Sequence, residues 1–350
     1  MSLSRLLKSS TAACLYRSGA LSLHRSFLER GRGIVLMYHR VNDHTDPFFP
    51  SLPVSVFAQQ LDYLVRHYRV EPLESVVEWV TSGAAGKPRV ALTIDDGYPD
   101  TFECMMPELA KRGLSATLFL STSPVETGDV LWTERLRWAF KHATRARVDL
   151  SAVGLGLSEL GAVQERLPLL RRLLSGLKER QPSVIEEVSS RLAHELRPDG
   201  PLPRTLTWDR VKEMSESGCF AVGAHTHRHY LLSRLDDAEL EREIRTSAEL
   251  IRSRLARPVR LFCYPNGRSR DYDARSFPIL RSLGVRYAVS AESGFVRPAS
   301  PPLELPRIYT SEKSLPLFAA RLAGIGGLSR MGGREESSLS RSNGRLEARG

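Results

Sequence analysis

Cysteine is scarce in this 350-residue chain: Cys14, Cys104, Cys219 and Cys263 lie far apart and form no C-x-x-C pair. That spacing suggests neither a zinc ribbon nor a disulfide framework, and it suits a reducing compartment. Long apolar runs are missing too. No stretch approaches the roughly 18 uninterrupted apolar residues of a membrane-crossing helix. No internal repeat is evident. Positive charge is concentrated at one end: the net charge is +10, and residues 1–33 carry six basic side chains against one acid, whereas the body is close to neutral. A basic body would point to nucleic acid, which is therefore not an expected partner. A basic arm on a near-neutral body points to an anionic membrane surface or polyanion, or to a solvated arm with no partner.

The arm, residues 1–33, has a small-residue patch at 11–14, but Arg17 interrupts the apolar run of about 7–15 residues that a secretory signal needs. The chain is accordingly expected on the cytoplasmic side. Leu3, Leu6, Leu7, Ala13 and Leu15 outline a short amphipathic helix that could lie on a membrane, giving peripheral contact. Residues 34–324 read as one catalytic domain. Strands at 34–38, 89–94, 116–120, 219–224, 260–264 and 285–290 alternate with helices at 55–66, 73–80, 101–112, 208–218 and 236–255. Such alternation is the mark of a parallel α/β sheet or barrel. Between them, residues 131–203 are rich in Leu, Arg and Glu at helical spacing and read as a helical insertion. Residues 325–350, rich in Gly, Ser and Arg and without periodicity, read as a disordered tail.

The stretch "RVALTIDDGYPD", residues 89–100, sets two carboxylates, Asp95 and Asp96, where an apolar strand runs into Gly97 and Pro99. Adjacent like charges at a buried strand's mouth cost free energy unless a cation or shared proton relieves them. "FAVGAHTHRHYLL", residues 220–232, places His225, His227 and His229 at the end of another strand. His225 and His229 can converge if the loop curls; His227 points elsewhere. In a parallel barrel the strand C-termini share one face, so both stretches meet there. Two imidazoles and one carboxylate leave positions for water, the arrangement of hydrolytic metals, and the second carboxylate is free to act as a base. A His-rich surface loop and an Asx turn are the plainer alternatives for each stretch alone.

A third stretch, "RLFCYPNG", ends a strand at the same mouth. In order, "LTIDDGY", "GAHTHRH" and "FCYPNG" resemble successive motifs of the polysaccharide deacetylase family (carbohydrate esterase family 4, the NodB-homology domain). "VLMYHRV" and "WDRVKEMSESG" add to a resemblance that spans roughly residues 34–310. It implies a distorted, incomplete (β/α) barrel. It also implies Asp95 as catalytic base, Asp96, His225 and His229 as metal ligands, and metal-bound water as nucleophile. Thr226 would shape the loop between the ligands, the Tyr264 N–H would help hold the oxyanion, and Tyr264 and Pro265 would border the substrate groove. The implied cofactor is one divalent ion: zinc, with cobalt, nickel or manganese as alternatives. The implied reaction removes an acetyl group from an N-acetylated sugar of a glycan or glycan precursor.

One departure stands out. The family's late Leu-x-His motif, whose histidine protonates the leaving amine, has no counterpart, because no histidine follows His229. The expected region reads "LELPRIYTS", and the guanidinium of Arg307 is a poor acid. His39, which ends the first strand, and His227 are the candidate substitutes. The missing histidine also leaves room for a glycan-binding pseudoenzyme, and the metal site alone for an amide hydrolase of non-carbohydrate substrates.

Overall fold

The computed structural model describes residues 3–21, 31–83 and 85–325. Residues 22–30 of the basic arm and the tail from 326 lie outside the described residues, as do the side chains of Leu3, Leu6 and Leu7. Ten strands run in chain order: β1 (Gly33–Tyr38), β2 (Arg69–Val70), β3 (Arg89–Asp96), β4 (Ala116–Leu120), β5 (Arg147–Asp149), β6 (Leu157–Glu159), β7 (Phe220–Ala224), β8 (Leu261–Cys263), β9 (Tyr287–Ser293) and β10 (Leu305–Tyr309). Seven of them close into a ring in the order β1-β10-β9-β8-β7-β4-β3, with β3 returning to β1. Every adjacent pair in the ring is parallel. The barrel is thus one strand short of the eight-stranded form, and β2 pairs β3 at Arg69↔Arg89 and Val70↔Val90, below the stretch that β4 covers from Thr93 onward.

The strands read as apolar runs because both faces are covered. All six residues of β1 are buried. Val35, Ala91, Phe119, Leu261, Cys263, Val289 and Leu305 form one buried cluster with Val76 and Val80 of the helix Leu73–Thr81. That helix plugs the end of the barrel where the strands begin. A Cβ on Gly33 would lie 2.8 Å from Val76 Cγ1 and 2.9 Å from Val80 Cγ2, so the first residue of β1 has no room for a side chain. Side chains alternate along a strand. Continuing the inward parity of Ala91, Phe119 and Cys263 puts Thr93, Asp95 and Arg307 inside, toward the open end.

The helices expected at 55–66, 73–80, 208–218 and 236–255 form with bounds shifted by a residue or two. Asp236 caps Asp237–Leu255 by accepting from the Glu239 N–H at 2.8 Å. The helix expected at 101–112 begins instead as a π-turn, Thr101–Met105, before Met106–Ala110. Pro107 has no N–H to offer a carbonyl one turn back, and the Met106 N–H reaches Thr101 O, one residue farther than an α-helix requires. The insertion is helical over Trp132–His142, Arg166–Lys178 and Pro182–Glu195, and also holds the antiparallel hairpin β5–β6. The helices Ser276–Ser282 and Leu315–Leu322 and strand β10 escaped the sequence reading.

The basic arm contributes the helix Leu3–Arg17, which packs on Leu315–Leu322. Ala12 is buried and the Tyr16 ring lies 6.1 Å from that of Tyr63. Among the described residues no helix is long and apolar enough to cross a membrane.

The insertion lies over the barrel mouth because it is fastened to three of the loops there. Lys141 Nζ donates to Asp46 Oδ2 at 2.6 Å and Arg137 Nη1 to Phe48 O at 2.9 Å, both in the loop after β1. The Tyr230 hydroxyl donates to Glu186 and Arg234 to Glu179, from the loop after β7. Lys178 Nζ donates to Asn266 Oδ1 at 3.1 Å, in the loop after β8.

Candidate metal centre and active site

Asp95 and Asp96 both belong to β3, and ordinary alternation would send them to opposite sides. Asp96 escapes this by taking a left-handed conformation, φ 77°, followed by Gly97 at φ 92°. A Cβ on Gly97 would meet Leu120 Cδ1 at 2.5 Å, so this turn requires glycine on two counts. Among the described residues six non-glycine positions have positive φ, and four of them, Asp96, Thr226, His229 and Asn266, stand at the barrel mouth. Strain of this kind persists where surrounding structure fixes it, and it gathers at functional sites.

The histidine loop curls through Thr226 (φ 61°) and His229 (φ 64°). Buried Thr226 accepts the His229 N–H on its Oγ1 at 3.1 Å. The loop after β4 holds it from the side: Ser121 Oγ donates to His225 O at 3.0 Å and the Ser123 N–H to His227 O at 2.8 Å. From behind, the Glu243 carboxylate accepts the Arg228 N–H at 2.7 Å. The outcome is that the His225 and His229 rings meet edge to face, 4.8 Å apart.

Their Nε2 atoms lie 3.3 and 3.2 Å from Asp96 Oδ1. That oxygen is buried and accepts no well-directed hydrogen bond. His225 Nδ1 lies 2.7 Å from Cys263 O; a carbonyl only accepts, so Nδ1 carries a proton, and Nε2 is the nitrogen turned toward Asp96. Two donors at about 2.0–2.1 Å from an ion in tetrahedral array stand roughly 3.3 Å apart. The spacing and the orphaned oxygen therefore fit a divalent cation. Burial opposes ionisation of Asp96, but His229 and His225 outweigh it and hold the carboxyl well below the usual range. Burial lowers His229, against the pull of Asp96, with smaller contributions from His225 and Lys178, and so favours the neutral imidazole that a metal needs.

Asp95 has a different set of neighbours. Arg307 Nη1 donates to Oδ1 and Nη2 to Oδ2, both at 2.8 Å. The guanidinium spends its other donors on Ser290 O at 2.8 Å, Thr93 Oγ1 at 3.0 Å and Cys263 Sγ at 3.1 Å. Burial pushes Asp95 up, and Arg307 and His39 more than offset it, so the carboxyl is ionised below its ordinary range. Asp95, His225 and Cys263 form a second group of clustered donors. Arg307 already bridges Asp95 and Cys263 there, so a cation fills that place, and the group that could hold a metal ion is Asp96, His225 and His229.

The structure brings His39 to this site: Nε2 lies 3.9 Å from Asp95 Oδ2, the side chain is 36% exposed, and the ring meets Tyr309 at 6.1 Å. His227 is turned away, with its Nδ1 3.0 Å from Thr122 Oγ1 and Glu126 among its neighbours. Two expectations need correction. The Tyr264 N–H points into the sheet, to Val289 O at 3.3 Å, and is not free for an oxyanion. Its ring is core, stacked 3.8 Å from Tyr272 with its hydroxyl donating to Leu303 O at 2.9 Å, so it does not border a groove. Pro265, at the same turn, is buried. The sequence reading missed Arg307 as the partner of Asp95, although a lone cation in the apolar run "LELPRIY" signals a buried carboxylate. It missed Lys178 as well, since nothing in a helical repeat shows which side chain overhangs a distant barrel.

The sequence profile of the family described as "Polysaccharide deacetylase" matches residues 82–288. No curated protein matches the sequence. Among solved structures, the Streptococcus pyogenes deacetylase PplD in complex with acetate superposes with a TM-score of 0.54 at 18% identity, covering 80% of this chain and 92% of that one. IcaB from Ammonifex degensii gives 0.54 at 19%, covering 84% and 98%. A polysaccharide deacetylase from Bacillus cereus gives 0.53 at 17%, covering 83% and 69%. At these identities the likeness speaks for the barrel, and the profile, matched over more than half the chain, speaks for descent. The chain belongs to the polysaccharide deacetylase family, hydrolases of carbon–nitrogen bonds other than peptide bonds.

Proposed function

We propose that the chain hydrolyses the acetamido group of an N-acetylated sugar in a glycan or glycan precursor, using one divalent ion held by Asp96, His225 and His229. The carrying observation is the buried Asp95, paired with Arg307, beside three convergent donors whose shared oxygen lacks a partner. Such an ion, zinc by preference and cobalt, nickel or manganese otherwise, polarises the acyl carbonyl and brings the pKa of a water toward about 7. Asp95 accepts that water's proton as its oxygen bonds to the carbonyl carbon. Arg307 keeps the carboxylate charged and fixes its plane. His39 delivers a proton to the nitrogen as the carbon–nitrogen bond breaks, leaving acetate and a free amine. Its place beside Asp95 supports this role, and the orientation of His227 argues against the alternative.

The test is acetate release from N-acetylhexosamine oligomers and from lipid- and nucleotide-linked N-acetyl sugars. Metal-loaded protein, chelated protein and Asp95→Asn would be compared. Release that needs both the metal and Asp95 supports the reading; tight metal binding without release from any substrate turns it toward a glycan-binding protein.

A further inference from the structure

Several cations around the barrel mouth are neutralised by acids. Arg307 is paired with Asp95, Arg40 with Asp100 and Glu134, Lys141 with Asp46, and Arg234 with Glu179. Lys178, the last residue of the insertion helix Arg166–Lys178, makes no ion pair among the described residues. The residue is half-buried, and its ammonium donates to a neutral acceptor, Asn266 Oδ1, at 3.1 Å. Asn266 is itself fixed, since it has positive φ and donates through Nδ2 to Asp271. Lys178 is also close enough to His229 to act on it electrostatically.

A half-buried ammonium without a counter-ion is costly, because desolvation is not offset by attraction. The insertion nonetheless holds Lys178 in place: the flanking Glu179 is tied to Arg234, and Glu186 of the next helix is tied to Tyr230. One of the three ammonium donors is used, which leaves two for a ligand. Lysine binds phosphoryl oxygens as a compact point charge with rotatable donors. We propose that Lys178 is a specificity-determining residue that takes a phosphoryl group attached to the sugar being deacetylated, so that the preferred substrate is a phosphate-linked N-acetyl sugar and not a neutral oligomer. For turnover this inference rests on the deacetylase reading; for binding it does not.

The experiment compares N-acetylglucosamine 1-phosphate, a nucleoside-diphosphate-linked and a polyprenyl-phosphate-linked N-acetylglucosamine with a neutral N-acetylglucosamine oligomer. The full chain would be used as wild type, Lys178→Met and Lys178→Arg. The expected result is a kcat/KM ratio of phosphorylated to neutral substrate that favours the former and falls about tenfold or more in Lys178→Met, the size of one charge-assisted hydrogen bond. Lys178→Arg should recover part of it, and rising salt should erode it. The three phosphorylated arms tell a lipid-borne from a nucleotide-borne or simple phosphate. An unchanged ratio in Lys178→Met overturns the inference. Calorimetric binding of N-acetylglucosamine 1-phosphate is measured in parallel. Binding that weakens in Lys178→Met while no substrate releases acetate would sink the deacetylase reading and leave the phosphoryl site standing. Binding indifferent to Lys178 would do the reverse.

Discussion

Arg307 and Asp95 meet inside the barrel through two parallel hydrogen bonds of 2.8 Å, one from each terminal nitrogen of the guanidinium to each carboxylate oxygen. The pair joins β10 to β3, which are not neighbours in the ring. It lies below Asp96 on β3 and gives the two adjacent aspartates opposite surroundings. Asp95 faces a permanent cation, whereas Asp96 faces the Nε2 atoms of two imidazoles. The like-charge cost of adjacent carboxylates is thus relieved on the Asp95 side by Arg307, and on the Asp96 side the proposed ion would relieve it.

Replacing Arg307 should therefore change the protonation of Asp95 before it changes anything else. Burial raises the Asp95 carboxyl and Arg307 is the first of the groups that lower it, with His39 next. The folded-state pKa is depressed, so the pair contributes stability above the ordinary carboxylate range and loses it as pH falls through the depressed value. In Arg307→Met burial acts with less opposition, and the acid limb of kcat/KM should move to higher pH. Removing one partner of a buried pair should also cost about 3–5 kcal/mol in denaturant unfolding. An acid limb that stays in place would assign that limb to another group.

The metal assignment divides the site variants into two classes. His225→Ala, His229→Ala and Asp96→Asn should lose bound metal on dialysis. Asp95→Asn should keep it while turnover falls about 10²–10⁴-fold. Metal content by plasma mass spectrometry distinguishes the classes, and full occupancy in His225→Ala would refute the ligand set.

Much of this was legible in the residues themselves. Adjacent aspartates after "ALTI" and a H-x-x-x-H spacing after a strand lie within the segment the family profile matches, residues 82–288. Local spacing carries that information, because a loop of five residues can bring its ends together. Arg307 and His39 fall outside that segment and act through contacts spanning 212 and 56 positions, which only ring closure creates. The hairpin β5–β6 was hidden for another reason: three-residue strands are too short to show alternation. Tyr264 misled because the motif names the residue but not the partner of its N–H, which is set by the register Cys263↔Val289.

Glu243 supports the histidine loop from the long helix Asp237–Leu255, and burial pushes its carboxyl up to about 7 against the hydrogen bond from the Arg228 N–H. A carboxyl raised in the folded state favours folding at low pH, and that contribution is lost as pH rises from about 4.5 through 7. The shift corresponds to about 3 kcal/mol. Glu243→Gln keeps an acceptor for the Arg228 N–H without the ionisation. Its denaturant stability should exceed that of the wild type at pH 8.5 and match it near pH 5. Equal stability at both values would mean that Glu243 is ionised without penalty.

If His39 protonates the leaving amine, its importance should depend on how much the leaving group needs a proton. An amine cannot depart from a tetrahedral adduct unprotonated, whereas a phenolate can. His39→Ala should therefore lower kcat for an N-acetyl sugar about 10²-fold or more, and lower it far less for acetate release from an activated aryl ester. Asp95→Asn should depress both, because water attack is common to them. Metal content in His39→Ala should equal that of the wild type, since His39 is not among the Asp96, His225 and His229 donors. Equal losses on amide and ester would assign His39 to orienting Asp95, 3.9 Å away, and the proton would then have to reach the nitrogen from solvent or from Asp95 itself.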